Sequence, residues 1–176
     1  MTEARKIIIL CLWVILCLTS LARAESEVHI YRKAVQAAKA GKTDFAFMYY
    51  SALSRDYPDS RYRREFLFAK GEYFFWMPNY PEAAAAFEAF LKDFPDAEGK
   101  LVVLAYLYRI AQIQKDNARL EQIKKEIVGF KQVGLVFKEF KESRYLSPMH
   151  YAYRIVFHID KVEFYREGGL FAEVSY

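Results

Sequence analysis

The chain has 176 residues, 18% of them aromatic and 27% charged, with 7 Gly and 5 Pro. That composition excludes a disordered, collagen-like or low-complexity protein and fits one globular domain. Its formal charge of +4 falls to +2 when the leader described next takes Glu3, Arg5, Lys6 and Arg23 with it, too little to mark a nucleic-acid binder.

Residues 1–24 read as a signal peptide. Arg5-Lys6 form a positive start, an apolar run begins at Ile7, and Ala22-Arg23-Ala24 place small residues where a signal peptidase reads them, so cleavage is expected before Glu25. The run from Ile7 to Ala22 falls short of the roughly 20 residues a bilayer core needs, so no stable membrane insertion is expected after cleavage. Cys11 and Cys17 both lie in the leader, and neither follows the Gly, Ala or Ser of a lipid-attachment site. A mature chain without cysteine has no disulfide, thiol nucleophile or Cys-based metal site. The expected location is periplasmic or secreted.

In the mature chain, Tyr57-Pro58-Asp59-Ser60 recurs 37 residues later as Phe94-Pro95-Asp96-Ala97. Ahead of each motif stands the same skeleton, Ala46, Tyr50 and Leu53 in one copy and Ala83, Phe87 and Phe90 in the other. Steps of four and three put these on one helix face, and the proline ends the helix. An earlier amphipathic helix precedes each skeleton, through Ile30, Ala34, Ala37 and Ala38 in the first copy and Phe66, Leu67 and Ala69 in the second. Two helix pairs result, at about 28–60 and 64–97. Gly71, Ala46 and Ala83 predict close helix crossings.

These residues resemble the tetratricopeptide repeat (TPR). Gly71, Tyr80, Ala83, Phe87, Phe90 and Pro95 match its pattern in the second copy, and Ala34, Ala46, Tyr50, Leu53 and Pro58 in the first. The Pro-Asp endings are similar to the bacterial-envelope subset of that family. The period of 37 exceeds the family's usual 34, which an extended first helix accommodates. The resemblance implies antiparallel helix pairs stacked as a right-handed α-solenoid, and a concave groove lined by the first helix of each pair. Carried over by position, the groove residues are Tyr31 and Val35, then Phe68, Glu72, Phe75 and Trp76, then Arg109 and Gln112.

A degenerate third pair spans about 100–131, with Leu101, Leu104, Ala105, Tyr108 and Ala111 on one helix and Leu120, Ile123, Ile127 and Phe130 on the next. Tyr108 stands where Gly71 stood, so the crossing signature is lost. Gly129 and Gly134 are expected to break or bend the pattern, with a short helix at Gln132–Lys141. The repeats are taken to end at residue 146.

Residues 147–176 form a different tail. Ser147-Pro148 are helix-start signals, and Ala152, Ile155, Val156 and Ile159 fall at helical spacing. Tyr151, Tyr153, Ile155, Phe157 and Ile159 alternate as a strand would; the start signals favour the helix. A short β-hairpin closes the chain. A three-residue loop, Glu167-Gly168-Gly169, pairs Val162 with Val174 and Phe164 with Ala172, puts Leu170 on the same face and gives Gly169 the left-handed bulge position.

No phosphate loop, nucleophile elbow or zinc-binding His motif occurs. On a helix His150 and His158 would stand about 12 Å apart, too far to share a metal. Glu163 and Glu173 read as a solvated face. The expected function is that of a non-catalytic adaptor or scaffold, without cofactor, binding another envelope protein or peptide. The alternative is a structural subunit of a permanent complex or homo-oligomer. Phe68, Phe75 and Trp76 either floor an open groove or are capped by the tail. The excess of aromatic surface favours the groove, with Glu72 and Arg109 as its rim.

Overall fold

The computed structural model describes residues 27–134 and 141–176; the leader expected at 1–24 lies outside the described residues. Among these, six helices come first: α1 (27–39), α2 (Thr43–Asp56), α3 (Arg63–Trp76), α4 (Tyr80–Asp93), α5 (Lys100–Gln114) and α6 (Asn117–Gly134). Strands β1 (Lys141–Leu146), β2 (Ala152–Phe157), β3 (Lys161–Arg166) and β4 (Gly169–Ser175) then form one antiparallel sheet in the order β1-β2-β3-β4. The protein is mainly helical with a C-terminal sheet. None of the described helices is long and apolar enough to cross a membrane.

The 37-residue period survives as backbone geometry. Thr43, Tyr80 and Asn117 begin α2, α4 and α6, and Arg63 and Lys100 begin α3 and α5, a spacing of 37 throughout. Tyr57 and Phe94 end their helices at φ −136° and −135°, where the following proline has no N–H with which to continue. The turns then match bond for bond: Ser60 N–H donates to Tyr57 O at 3.0 Å and Ala97 N–H to Phe94 O at 3.2 Å, while the Ser60 and Ala97 carbonyls each accept from the first residue of the next helix at 3.0 Å. In the first copy Ser60 Oγ also donates to Glu27 at 2.7 Å, tying the turn to α1.

Ala46, Tyr50 and Leu53, and likewise Ala83, Phe87 and Phe90, are buried. Gly71 sits at the α3–α4 crossing as its spacing predicts, since a Cβ there would overlap the Phe87 ring. In the third pair Ile123 and Ile127 are buried without such a small residue. The expected break at Gly129 does not occur. α6 runs through it to Gly134, because a Cβ-less position facing open space weakens a helix by only about 1 kcal/mol. Of the short helix expected at Gln132–Lys141, residues 132–134 belong to α6, 135–140 lie outside the described residues, and Lys141 opens β1. The sheet thus begins ahead of residue 147.

The helix favoured for 148–159 is a strand. Tyr153, Ile155 and Phe157 are all buried; period two lines them on one face, whereas a helix would scatter them around its axis. Ser147 and Pro148 belong instead to the β1–β2 turn. Ser147 N–H donates to Tyr151 O at 3.0 Å, Ser147 Oγ accepts from Tyr151 N–H at 3.1 Å, and His150 takes the left-handed φ of 67°.

In the closing hairpin Val162 pairs with Val174 and Phe164 with Ala172, as the spacing predicts. The loop differs: it has two residues, and the left-handed ones are Glu167 (φ 51°) and Gly168 (φ 82°), not Gly169. Both central residues at positive φ match the twist of the strands they join. The irregularity lies further along, between Phe164 and Tyr165, where β4 carries Phe171 as an extra residue. Leu170 is therefore 58% exposed, and Phe171 packs on the helices in its place.

Candidate functional site

The inner face of the sheet shares one apolar core with α3, α4 and α5. Three of the groove residues expected from the repeat are consequently interior. The Phe68 ring lies 5.3 Å from Tyr145 of β1, and Phe75 lies 4.8 Å from Tyr106 and 5.7 Å from Phe171 of β4. Glu72 is fully buried, so it forms no rim. The aromatic surface does exceed what a neighbouring repeat can cover; the sheet supplies the remainder. Trp76 stays at the margin, 46% exposed, with the Arg166 guanidinium 4.2 Å above its ring. Arg109 is half-buried on α5 and donates to the exposed Gln112 at 3.1 Å.

Around Glu72 the sheet is clasped to the helices. Tyr153 of β2 donates to Glu72 Oε1 at 2.5 Å and Tyr106 of α5 at 3.4 Å, and the two phenol oxygens are 2.5 Å apart. Glu72 Oε2 is buried with no hydrogen-bond partner. Burial pushes the Glu72 carboxyl up to about 7, against the opposing pull of Tyr153, Ser147, Arg166 and Tyr106. The same burial, with Glu72 beside them, raises both phenols well above their ordinary range. An acid so enclosed offers no surface to a substrate and acts as a structural clasp.

Tyr31 and Val35 have a different setting. The β1–β2 turn inserts Met149 among Ala34, Ala37, Ala38, Ala46, Tyr50 and Ala69, and Tyr50 donates its hydroxyl proton to Pro148 O at 3.1 Å. Beside this plug a cleft of about 310 Å³ remains, lined by Tyr31, Val35, Lys39, Tyr50, Arg64, Glu65, Glu98, Tyr145 and His150, among others. Tyr31 stacks on Tyr62 with ring centres 3.7 Å apart. Arg64 pairs with Glu65 Oε1 at 2.8 Å, leaving Glu65 Oε2 buried without a partner. Aromatic walls, both signs of charge and an unpartnered carboxylate oxygen suit a peptide segment better than a purely apolar ligand.

No protein-family model matches the chain, and no curated protein is significantly similar to it. The tetratricopeptide resemblance accordingly rests on the chain's own residues and period.

The remaining polar candidates lie on the sheet. His158 Nε2 is 2.9 Å from Glu163 Oε2, whereas His150 sits in the β1–β2 turn. Glu163 and Glu173 face each other across β3 and β4, bridged by Lys161 at 2.7 and 3.0 Å. Hydrogen bonds from Lys161 and then Tyr165 hold the Glu163 carboxyl down at about 2. Among the described residues, no group of three or more His, Cys, Asp or Glu is arranged to hold a metal. Sequence reasoning missed Tyr106, Tyr145, Met149, Tyr153 and Arg166. The one available signal was Glu72, a carboxylate on an otherwise aromatic helix, which requires polar partners from elsewhere once that helix is buried.

Proposed function

We propose that the chain is an exported, non-catalytic TPR-like adaptor of the bacterial cell envelope, a right-handed α-solenoid whose concave side binds another envelope protein or peptide. The observation that carries this reading is the cleft at Tyr31 and Val35. The chain's own sheet occupies the groove of the second pair, and its β1–β2 turn plugs part of the first, so the partner segment enters beside the plug. The 37-residue helix spacing supports the solenoid, and the leader at 1–24 supports export. Arg64, Glu65 and His150 orient the bound segment, while Tyr31, Tyr50 and Tyr145 supply contact area.

Affinity capture from an envelope extract tests the reading. Val35→Glu should abolish capture of the partner without lowering the melting midpoint; capture that survives the change overturns the cleft as the site. Mass spectrometry of the exported protein should place its N-terminus at Glu25. The second reading, a permanent homo-oligomer, is favoured by Leu146 of β1 and Leu170 of β4, which are 55% and 58% exposed on the two edge strands. Light scattering decides between the two: an adaptor elutes as a monomer at micromolar concentration and a permanent oligomer does not.

A further inference from the structure

Among the described residues, no preceding helix packs on α1 as α2 packs on α3. In the second pair α3 meets α2 through Tyr73 and Phe74. Phe47 stacks on Tyr73 at 3.9 Å and meets Phe74 edge-on at 5.3 Å, and Tyr73 donates its hydroxyl proton to Asp44 at 3.1 Å. One period earlier those two positions are Gln36 and Ala37 of α1. There a groove of about 350 Å³ lies open, lined by Ala37, Ala40, Phe45 and Tyr49 together with Lys33, Gln36 and Lys42. Phe45 is 55% exposed and Met48, on the same face of α2, is 49% exposed.

The opposite end of the helical array is built differently. The α2 residue that packs on α3, Phe47, corresponds two periods later to Glu121 of α6, which is exposed along with Gln122 and Lys125. A polar outer face of this kind is what the last repeat of a stack needs in water. At the α1–α2 end the exposed Lys33, Gln36 and Lys42 share the surface with the exposed Phe45 and Met48. The groove between them lies where the preceding helix of a continuing stack would sit, as α2 sits against α3.

Charge selects the occupant. The groove is lined by two lysines and no carboxylate; among the described residues neither Lys33 nor Lys42 forms an ion pair, and Lys33 Nζ lies 5.9 Å from the centre of the Tyr49 ring. A two-fold contact between copies would set this lysine-bearing patch against itself. We propose that this end face docks an amphipathic helix from a partner protein, with acidic residues flanking its apolar stripe. The site rests on the 37-residue repeat and not on the cleft at Tyr31, so either can fail without the other.

The test uses the whole protein and a fluorescently labelled synthetic helix with Leu and Phe on one face and Glu beside them, compared with the same peptide carrying Lys for Glu and with a scrambled one. Anisotropy should show saturable binding of the Glu peptide, weakened about tenfold or more by the Lys peptide, by Phe45→Ser with Met48→Ser, and by Lys33→Glu with Lys42→Glu. Val35→Glu should leave it unchanged. Equal binding of all three peptides, or indifference to the α1 and α2 substitutions, overturns the proposal. So does either of two other occupants: a dimer in light scattering that the Phe45 and Met48 changes dissolve, or binding to phosphatidylglycerol vesicles that the same changes remove.

Discussion

Glu72 on α3 and Tyr153 on β2 are 81 residues apart along the chain and meet at 2.5 Å. The bond joins the aromatic helix of the second pair to the second strand of the sheet, and with Tyr106 it forms a polar knot inside an apolar core. That knot sets the position of the sheet and therefore which part of the helical surface beside it stays open.

Titration of Glu72 should be visible in the stability of the fold. Its carboxyl is raised from 4.5 to about 7 by burial, so the folded state favours the protonated acid. The contribution is complete below pH 4.5 and is lost as the pH climbs to about 7, a swing of about 3 kcal/mol. Glu72→Gln keeps an acceptor for Tyr153 and removes the charge. Chemical denaturation from pH 4.5 to 8 should show a flatter profile for the variant and a stability at pH 8 at or above the parent's. Glu72→Ala instead leaves a cavity and unpaired phenols, and should destabilise by about 2–4 kcal/mol at pH 4.5, a deficit that shrinks towards pH 8 as the parent loses the contribution of its protonated acid.

Gly71 is held to glycine by the Phe87 ring. Ala normally gains about 1 kcal/mol over Gly inside a helix, yet here its Cβ would overlap that ring. Gly71→Ala should therefore lower the melting midpoint, and Gly71→Leu should cost about 1–3 kcal/mol or more. A midpoint raised by Ala would contradict the crossing.

Helix spacing, the Pro-Asp turns, the Gly71 crossing and the Val162–Val174 register were legible because each depends on residues near in sequence. The sheet's place was not. Ser147-Pro148 carries a local helix signal that the burial of Tyr153, Ile155 and Phe157 overrides, and that burial exists only once the helices are in place. Phe171 shows the same limit at one residue, since only packing against Phe75 and Tyr106 selects the bulge that turns it inward. Of the groove residues, Tyr31 and Val35 line an open cleft because the β1–β2 turn stops short of them. Phe68, Glu72 and Phe75 do not, because the sheet lies across them.

The plug should matter to the first helix pair. Met149 is buried among small residues of α1, α2 and α3, so Met149→Ala should destabilise by about 2–4 kcal/mol. Tyr50→Phe removes the bond to Pro148 O and should cost about 1 kcal/mol. Thermal melts of both variants check the insertion; an unchanged Met149→Ala would place the turn elsewhere.

Trp76 should behave as a margin residue. Half-exposed beneath Arg166, it should cost about 1–2 kcal/mol on change to alanine, below the roughly 3–5 of a core tryptophan. Arg166→Gln should expose its emission further to quenching by neutral acrylamide, as the covering guanidinium is removed. Trp13 lies in the proposed leader, so once that leader is cleaved tryptophan fluorescence reports this site alone.

The occupied groove and the open cleft are tested together by photocrosslinking. A benzophenone amino acid is placed at Val35 in one protein and at Phe75 in another, and each is irradiated with an envelope extract. Expected are an adduct between the Val35 probe and a second protein, and for the Phe75 probe only an internal adduct with the segment around Phe171. A partner adduct from the Phe75 probe, with none from Val35, would contradict the sheet's occupation of the groove.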